Sequence, residues 1–193
     1  MSLDVNFVQI KESITRAAEG VRDGRKEPVR KPRVKLKVVK NLQGETTAGK
    51  FVFRGDAAID AGGAAEYARP MDYLLGGLAH CQQMWCLRWA ALEGVTLSQL
   101  EIETESVFNW RGEYLGEMYS GMLELHVYMK VAGDGMTAAQ VCEMADMTAL
   151  RCPVYATLRR ATLVKEYLQI GDGTVIEREW HRDEDVARLV KGA

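Results

Sequence analysis

The chain has 193 residues, a net charge of −2 and 47% hydrophobic residues, enough for one domain with a sizeable core plus some decoration. So small a charge argues against a protein that as a whole binds nucleic acid or a membrane surface. Four cysteines (Cys81, Cys86, Cys142, Cys152) without a C-x-x-C pair, and three scattered histidines (His80, His126, His181), argue against a secreted disulfide scaffold and against a zinc centre.

The N-terminus, MSLDVNFVQIKES, has an early Asp and no basic-then-apolar pattern, so no signal peptide is expected. The expectation is cytoplasmic residence with reduced or redox-active thiols. Residues 5–20 carry Phe7, Ile10, Ile14, Ala17 and Ala18 on one face, a predicted amphipathic helix with Asp4 as cap and Gly20 as stop. From Arg22 to Lys40 nine Lys or Arg stand against only Asp23 and Glu27. A nucleic-acid arm is the sharper reading of that run. The alternation of cations with Val34, Leu36 and Val38 favours a half-exposed strand with lysines on its wet side. Gln43-Gly44 reads as a turn, 48–56 as a second strand and 58–61 as a short third, followed by the small-residue loop AGGAAEYAR.

Pro70 to Glu93, PMDYLLGGLAHCQQMWCLRWAALE, is rich in good helix formers, with Pro at its first turn and Gly94 just past its end. Leu74, Leu78, Cys81 and Trp85 fall on one stripe; Leu75, Ala79, Cys86 and Trp89 fall on the other side. A helix apolar on both faces is buried all round. His80, Gln82, Gln83 and Arg88 interrupt the apolar run, so it is a core helix rather than a membrane span. Gly76 and Gly77 allow another backbone to come close.

Leu97–Arg111 and Met122–Val131 alternate apolar and polar residues. They predict an antiparallel pair with Glu101, Glu103 and Glu105 on the wet face and the other face on the core helix. Thr137 followed by Gln140 is a capping box for a helix to Leu150. Pro153 opens another helix and leaves Cys152 at its N-cap, where free N–H groups favour a thiolate. A strand over 162–170 and a short helix over 181–191 close an α+β chain. The acidic segment 167–185 is a possible counterpart of the basic run. Cys81, mid-helix, lacks help of that kind and needs a cation from elsewhere.

PMDYLLGGLAHC, about 70 residues, then RCPV before a short helix resembles the OsmC/Ohr family of hydroperoxide-reducing proteins. The resemblance covers roughly 33–170, which leaves 1–32 as a helix-and-linker extension and 171–193 as an acidic tail. It implies antiparallel sheets wrapped around a buried central helix in an intertwined homodimer, with two equivalent sites near the interface. It also implies Cys81 as peroxidatic thiol, Cys152 as resolving thiol, an external dithiol as reductant, and no cofactor or metal. Family members hold an Arg beside the thiol with a Glu that follows the helix-leading Pro. Here that position is Met71, with Asp72 next; Arg54 and Arg69 are the candidate cations and Arg22 a remote one. His80 is expected to be a core or interface residue, and Cys86, some 140° around the helix, is not a partner for Cys81. Trp85, Trp89 and Met84 are core or an apolar pocket wall.

The leading function is reduction of organic hydroperoxides through the Cys pair. The alternative is an inactive relative that binds an apolar small molecule, favoured by Met71. No nucleic-acid or membrane partner is expected.

Overall fold

The computed structural model describes residues 3–159, 164–169 and 175–180. Its first helix, α1 (Phe7–Arg22), starts two residues later than the sequence suggests: Asn6, not Asp4, accepts a hydrogen bond from the Gln9 N–H at 3.0 Å. It also runs through Gly20, which is buried rather than terminal. Lys11 ties the helix down by donating to the Leu92 carbonyl at 3.2 Å.

Three antiparallel strands follow, β1 (Lys35–Lys40), β2 (Gln43–Ala48) and β3 (Phe51–Gly55), in the order β1-β2-β3. Gln43-Gly44 lies inside β2, so the expected turn there is corrected. The reversal is made by Asn41, at φ 49, because Asn tolerates the left-handed region. Gly49, at φ 60, makes the next one. The segment Ile59–Ala61 is a 3₁₀ turn and not a strand. Lys37 and Arg54 flank Glu45 at 2.8 and 3.0 Å. Apolar residues of this sheet remain open, including Leu36, Val38, Phe51 and Val52.

The loop into the central helix is organised by Asp56, 2% exposed. Its carboxylate accepts from the backbone N–H groups of Ala57, Ala64 and Glu66 and from the Gln43 amide. Burial alone would raise its pKa, but these donors together hold the carboxyl below its ordinary value. Gly63 is required here, since a Cβ at this position would overlap the Ala57 carbonyl.

Helix α2 (Pro70–Glu93) has the bounds the sequence predicts, with Gly94 as left-handed C-cap at φ 73. Behind it, β4 (Leu97–Val107) and β5 (Glu124–Gly133) pair antiparallel, with Glu101 opposite Lys130 and Glu105 opposite His126 on the exposed face. Leu100, Ile102, Met129 and Val131 pack inward, and the Thr104 hydroxyl donates to the Leu75 carbonyl on α2 at 3.2 Å. β4 stops four residues short of the expected Arg111, because a turn at Arg111–Leu115 takes over and leaves Trp110 exposed.

Helix α3 (Ala138–Arg151) begins with the expected Thr137–Gln140 capping box, and α4 (Pro153–Arg159) follows after the single residue Cys152. β6 (Val164–Gln169) pairs antiparallel with β7 (Val175–Trp180), a strand the sequence reading did not anticipate. The helix expected over 181–191 lies outside the described residues. The core is built on α2: Cys86, Trp89 and Ala90 close on Leu97 and Met144, while Leu78 and Cys81 close on Cys152.

Candidate functional site: two buried thiols on the central helix

Cys81 lies half-way along α2, on the face that meets α4 and β5, and is 6% exposed. Cys152, fully buried, occupies the junction of α3 and α4. The two share one apolar cluster with Leu78, edged by Trp85, Leu125, Val127, Val154 and Tyr155. Pro153 explains the junction: lacking an N–H and clashing with a preceding helical residue, it ends α3 and re-opens the chain as α4. The turn aims the Cys152 side chain back at α2. All four cysteines are free thiols.

The N-cap geometry expected for Cys152 is present, since the Tyr155 N–H donates to its Sγ at 3.4 Å. The expected thiolate is not. Burial first, and then the adjacent Cys81 thiol, push Cys152 up to about 11, against which the N–H groups of Tyr155 and Val154 are too weak. A seven-residue helix offers little dipole to a side chain with no access to water. Cys152 is therefore a neutral thiol held against Cys81.

The other sequence candidates fall elsewhere. Arg54 donates to Glu45 at 3.0 and 3.2 Å and to the Tyr67 hydroxyl at 3.1 Å, so its guanidinium is already engaged within the chain. Arg69, the N-cap of α2, forms a two-pronged pair with Asp72 at 2.8 and 3.0 Å. It precedes Cys81 by twelve residues, about 18 Å of helix axis, more than an arginine side chain spans. Asp72 is occupied by Arg69, which holds its carboxyl below the ordinary value. Arg88 stacks on the Trp85 ring, 4.8 Å from its centre. Among the described residues no cation hydrogen-bonds the Cys81 sulfur.

His80 is exposed within the chain, so the core alternative for it is removed. Cys86 is buried with its sulfur 3.6 Å from the Thr148 hydroxyl, and burial raises its pKa. Cys142 is exposed on α3, away from the cluster. Sequence reasoning passed over Gln82. It is 2% exposed, and its Oε1 has no partner among the described residues. An amide beside a cysteine carries no pattern of its own and becomes notable only once it is buried. Among the described residues no group of three or more His, Cys, Asp or Glu could hold a metal ion, and none of the described helices is long and apolar enough to cross a membrane.

Residues 63–166, which contain α2, the β4–β5 pair and both thiols, match the model of the OsmC-like protein family. The chain belongs to the OsmC-like family. The fold agrees. An OsmC-like protein from Mycoplasma pneumoniae aligns with a TM-score of 0.59 at 20% identity, over 68% of this chain and 89% of that one. A protein from Psychrobacter arcticus described as a putative osmotic stress induced and detoxification response protein aligns with a TM-score of 0.55 at 18% identity, over 68% and 91%. An organic hydroperoxide resistance protein OsmC from Legionella pneumophila aligns with a TM-score of 0.52 at 16% identity, over 69% and 92%. No curated protein matches the chain in sequence. The OsmC-like match leaves α1 and the three-stranded sheet outside it.

Proposed function

We propose that the protein is a thiol peroxidase that reduces organic hydroperoxides through Cys81 and Cys152, working as a homodimer. The observation that carries the proposal is the pairing of two free thiols from distant parts of the chain in one buried apolar cluster. The Legionella relative's designation as an organic hydroperoxide resistance protein supports the substrate class.

The steps follow from thiol chemistry. The Cys81 thiolate attacks the peroxide O–O bond, forming an S–O bond and releasing alkoxide, which takes up a proton as the alcohol. Cys152 then attacks the sulfenic sulfur, forming the disulfide and expelling the hydroxyl as water together with the Cys152 proton. An external dithiol reduces the disulfide and is itself oxidised. The raised pKa of Cys152 suits the second role: at neutral pH it stays protonated and does not compete for peroxide. Leu78, Leu125, Val127 and Trp85 supply an apolar surround fitted to an alkyl or aryl hydroperoxide.

Support for the dimer comes from the uncovered side of α2. Gly76 and Gly77 face open space, and Tyr73, Leu74 and Met84 are exposed within one chain. A helix apolar on both faces and covered on one leaves a surface suited to a second copy. The cation Cys81 needs would then come from across that interface, the proposed source being Arg54 or Arg69 once it leaves the Glu45 or Asp72 carboxylate that holds it within one chain.

The absence of a cation at Cys81 among the described residues of one chain, together with Met71, favours a second reading: a dimer that binds an apolar molecule without turnover. Dithiol-coupled reduction of cumene hydroperoxide separates the two. The peroxidase reading expects turnover abolished by Cys81→Ser, slowed by Cys152→Ser, and an 81–152 disulfide by mass spectrometry after mild peroxide. Turnover no faster than free cysteine, or a 142–152 disulfide alone, overturns it in favour of the binder.

A further inference from the structure

We propose that the cleft between α1, α2 and the end of α3 binds a small amphipathic monocarboxylate. The cleft has a volume of about 240 Å³, below the range of pockets that hold drug-sized ligands and so of a size for a small molecule. Ile14, Ala18, Trp85, Leu92 and Met147 give it apolar walls, and Arg22 and Arg151 stand at it with Glu19 and Thr15. Two guanidinium groups against one carboxylate leave a net positive charge beside an apolar cavity, which is the complement of a short-chain or aryl carboxylate.

Arg22 and Arg151 sit in the last turns of α1 and α3, where a cation also complements the helix dipole. That role explains each arginine singly. It does not explain why the two helix ends converge on one apolar cleft. Neither arginine has a carboxylate within salt-bridge distance among the described residues, so both are available to a ligand anion. The fork of an arginine meets a carboxylate with two parallel hydrogen bonds.

The site adjoins the thiol cluster but does not depend on its chemistry. α1 lies outside the family match, so the cleft is a feature the N-terminal helix adds to the shared fold. Trp85 touches both places: it lines the cleft and edges the Cys81–Cys152 cluster. Its ring is the reporter for the test.

The full chain is titrated with hexanoate and with 1-hexanol at pH 7.5 and low salt, following the Trp85 indole N–H by NMR, assigned with Trp85→Phe. Hexanoate shifts this resonance saturably and binds about tenfold more tightly than the alcohol. Arg22→Gln combined with Arg151→Gln removes the difference, and Ala18→Trp, which fills the cleft, abolishes both. Glu19→Gln, at an exposed position with little bearing on folding, tightens hexanoate and keeps the test decisive should Ala18→Trp fail to fold. Cys81→Ser leaves binding unchanged. Hexanoate binding no tighter than hexanol, or insensitive to Glu19→Gln and the arginine variants, overturns the proposal; loss of binding in Cys81→Ser assigns the ligand to the thiol site and also overturns it.

Discussion

Cys152 offers the sharpest test of the electrostatic reasoning, because two opposing forces act on it and only one can win. Its thiol ordinarily titrates at 9.0 and is held at about 11 by burial and by the neighbouring Cys81 thiol. At pH 7 the thiolate fraction therefore falls from about 10⁻² to about 10⁻⁴, and alkylation slows by roughly a hundredfold before any steric protection is counted. Iodoacetamide labelling from pH 7 to 10, read peptide by peptide in a mass spectrometer, measures this, with the exposed Cys142 as reference in the same molecule. Cys152 labelling should climb about tenfold per pH unit across the whole range. Cys81→Ser removes the second cause and leaves the first, so the profile should move to lower pH and stop short of an ordinary thiol. The same shift bears on stability. The native state holds the Cys152 proton more tightly than the unfolded chain does. Stability from this source is complete below pH 9 and is lost as pH rises towards 11, with a ceiling of about 3 kcal/mol for two units. Labelling at pH 7 as fast as free cysteine, or a profile that levels below pH 9, would refute the reasoning. It would mean that the N–H donors of Val154 and Tyr155 outweigh burial.

Gly77→Trp should fold, since the position faces open space in one chain and Trp is a better helix former than Gly; by sedimentation it should shift the proposed dimer to monomer. Retention of a dimer would place the interface elsewhere. Leu78→Ala, at a fully buried position beside the thiols, should cost about 2–5 kcal/mol in urea unfolding; a loss under 1 kcal/mol would contradict the packing. Gly63→Ala has to displace the Ala57 carbonyl and should cost about 1–3 kcal/mol, with an unchanged midpoint as the contrary result. Asp56 is ionised more readily in the folded chain than its ordinary value of 3.8 implies. Its contribution is present above about pH 4 and lost as pH falls below it, so Asp56→Asn should flatten the acid limb of a melting-temperature profile. An acid limb identical to that of the parent would count against this role.

The central helix was legible because its signals are local and agree with one another. Pro70 fits the first turn, the run to Glu93 holds good helix formers, and Gly94 supplies the left-handed stop. The β4–β5 pair was legible for the same kind of reason, an alternation in which every second residue is apolar. The N-terminal sheet was read less well. Gln43-Gly44 has turn composition, yet Asn41 makes the turn two residues earlier and Gly44 lies under the Leu36 side chain. Turn propensity alone does not choose between two neighbouring candidates; the register of β1 against β2 does.

At the site, the order of Cys81 on a Pro-led helix and Cys152 before a proline identified the two residues and the family they resemble. Local sequence even placed Cys152 at a helix start. It reversed the sign of the electrostatics there, because the N-cap effect is a property of nearest neighbours whereas desolvation depends on what packs over the sulfur, here Leu78, Val127 and Tyr155 from three separate elements. The arginines show the same division. Their positive charge is written in the chain. That Glu45 and Tyr67 hold Arg54, that Asp72 holds Arg69, and that Arg22 and Arg151 meet at one cleft was decided only when α1, α3 and the strands were brought against α2. The sequence by itself determined which elements form and which thiols lie at the centre, since those depend on residues a few positions apart. The tertiary structure alone decided which charges are spent on partners and which thiol is kept protonated, because both depend on distances between residues far apart in the chain.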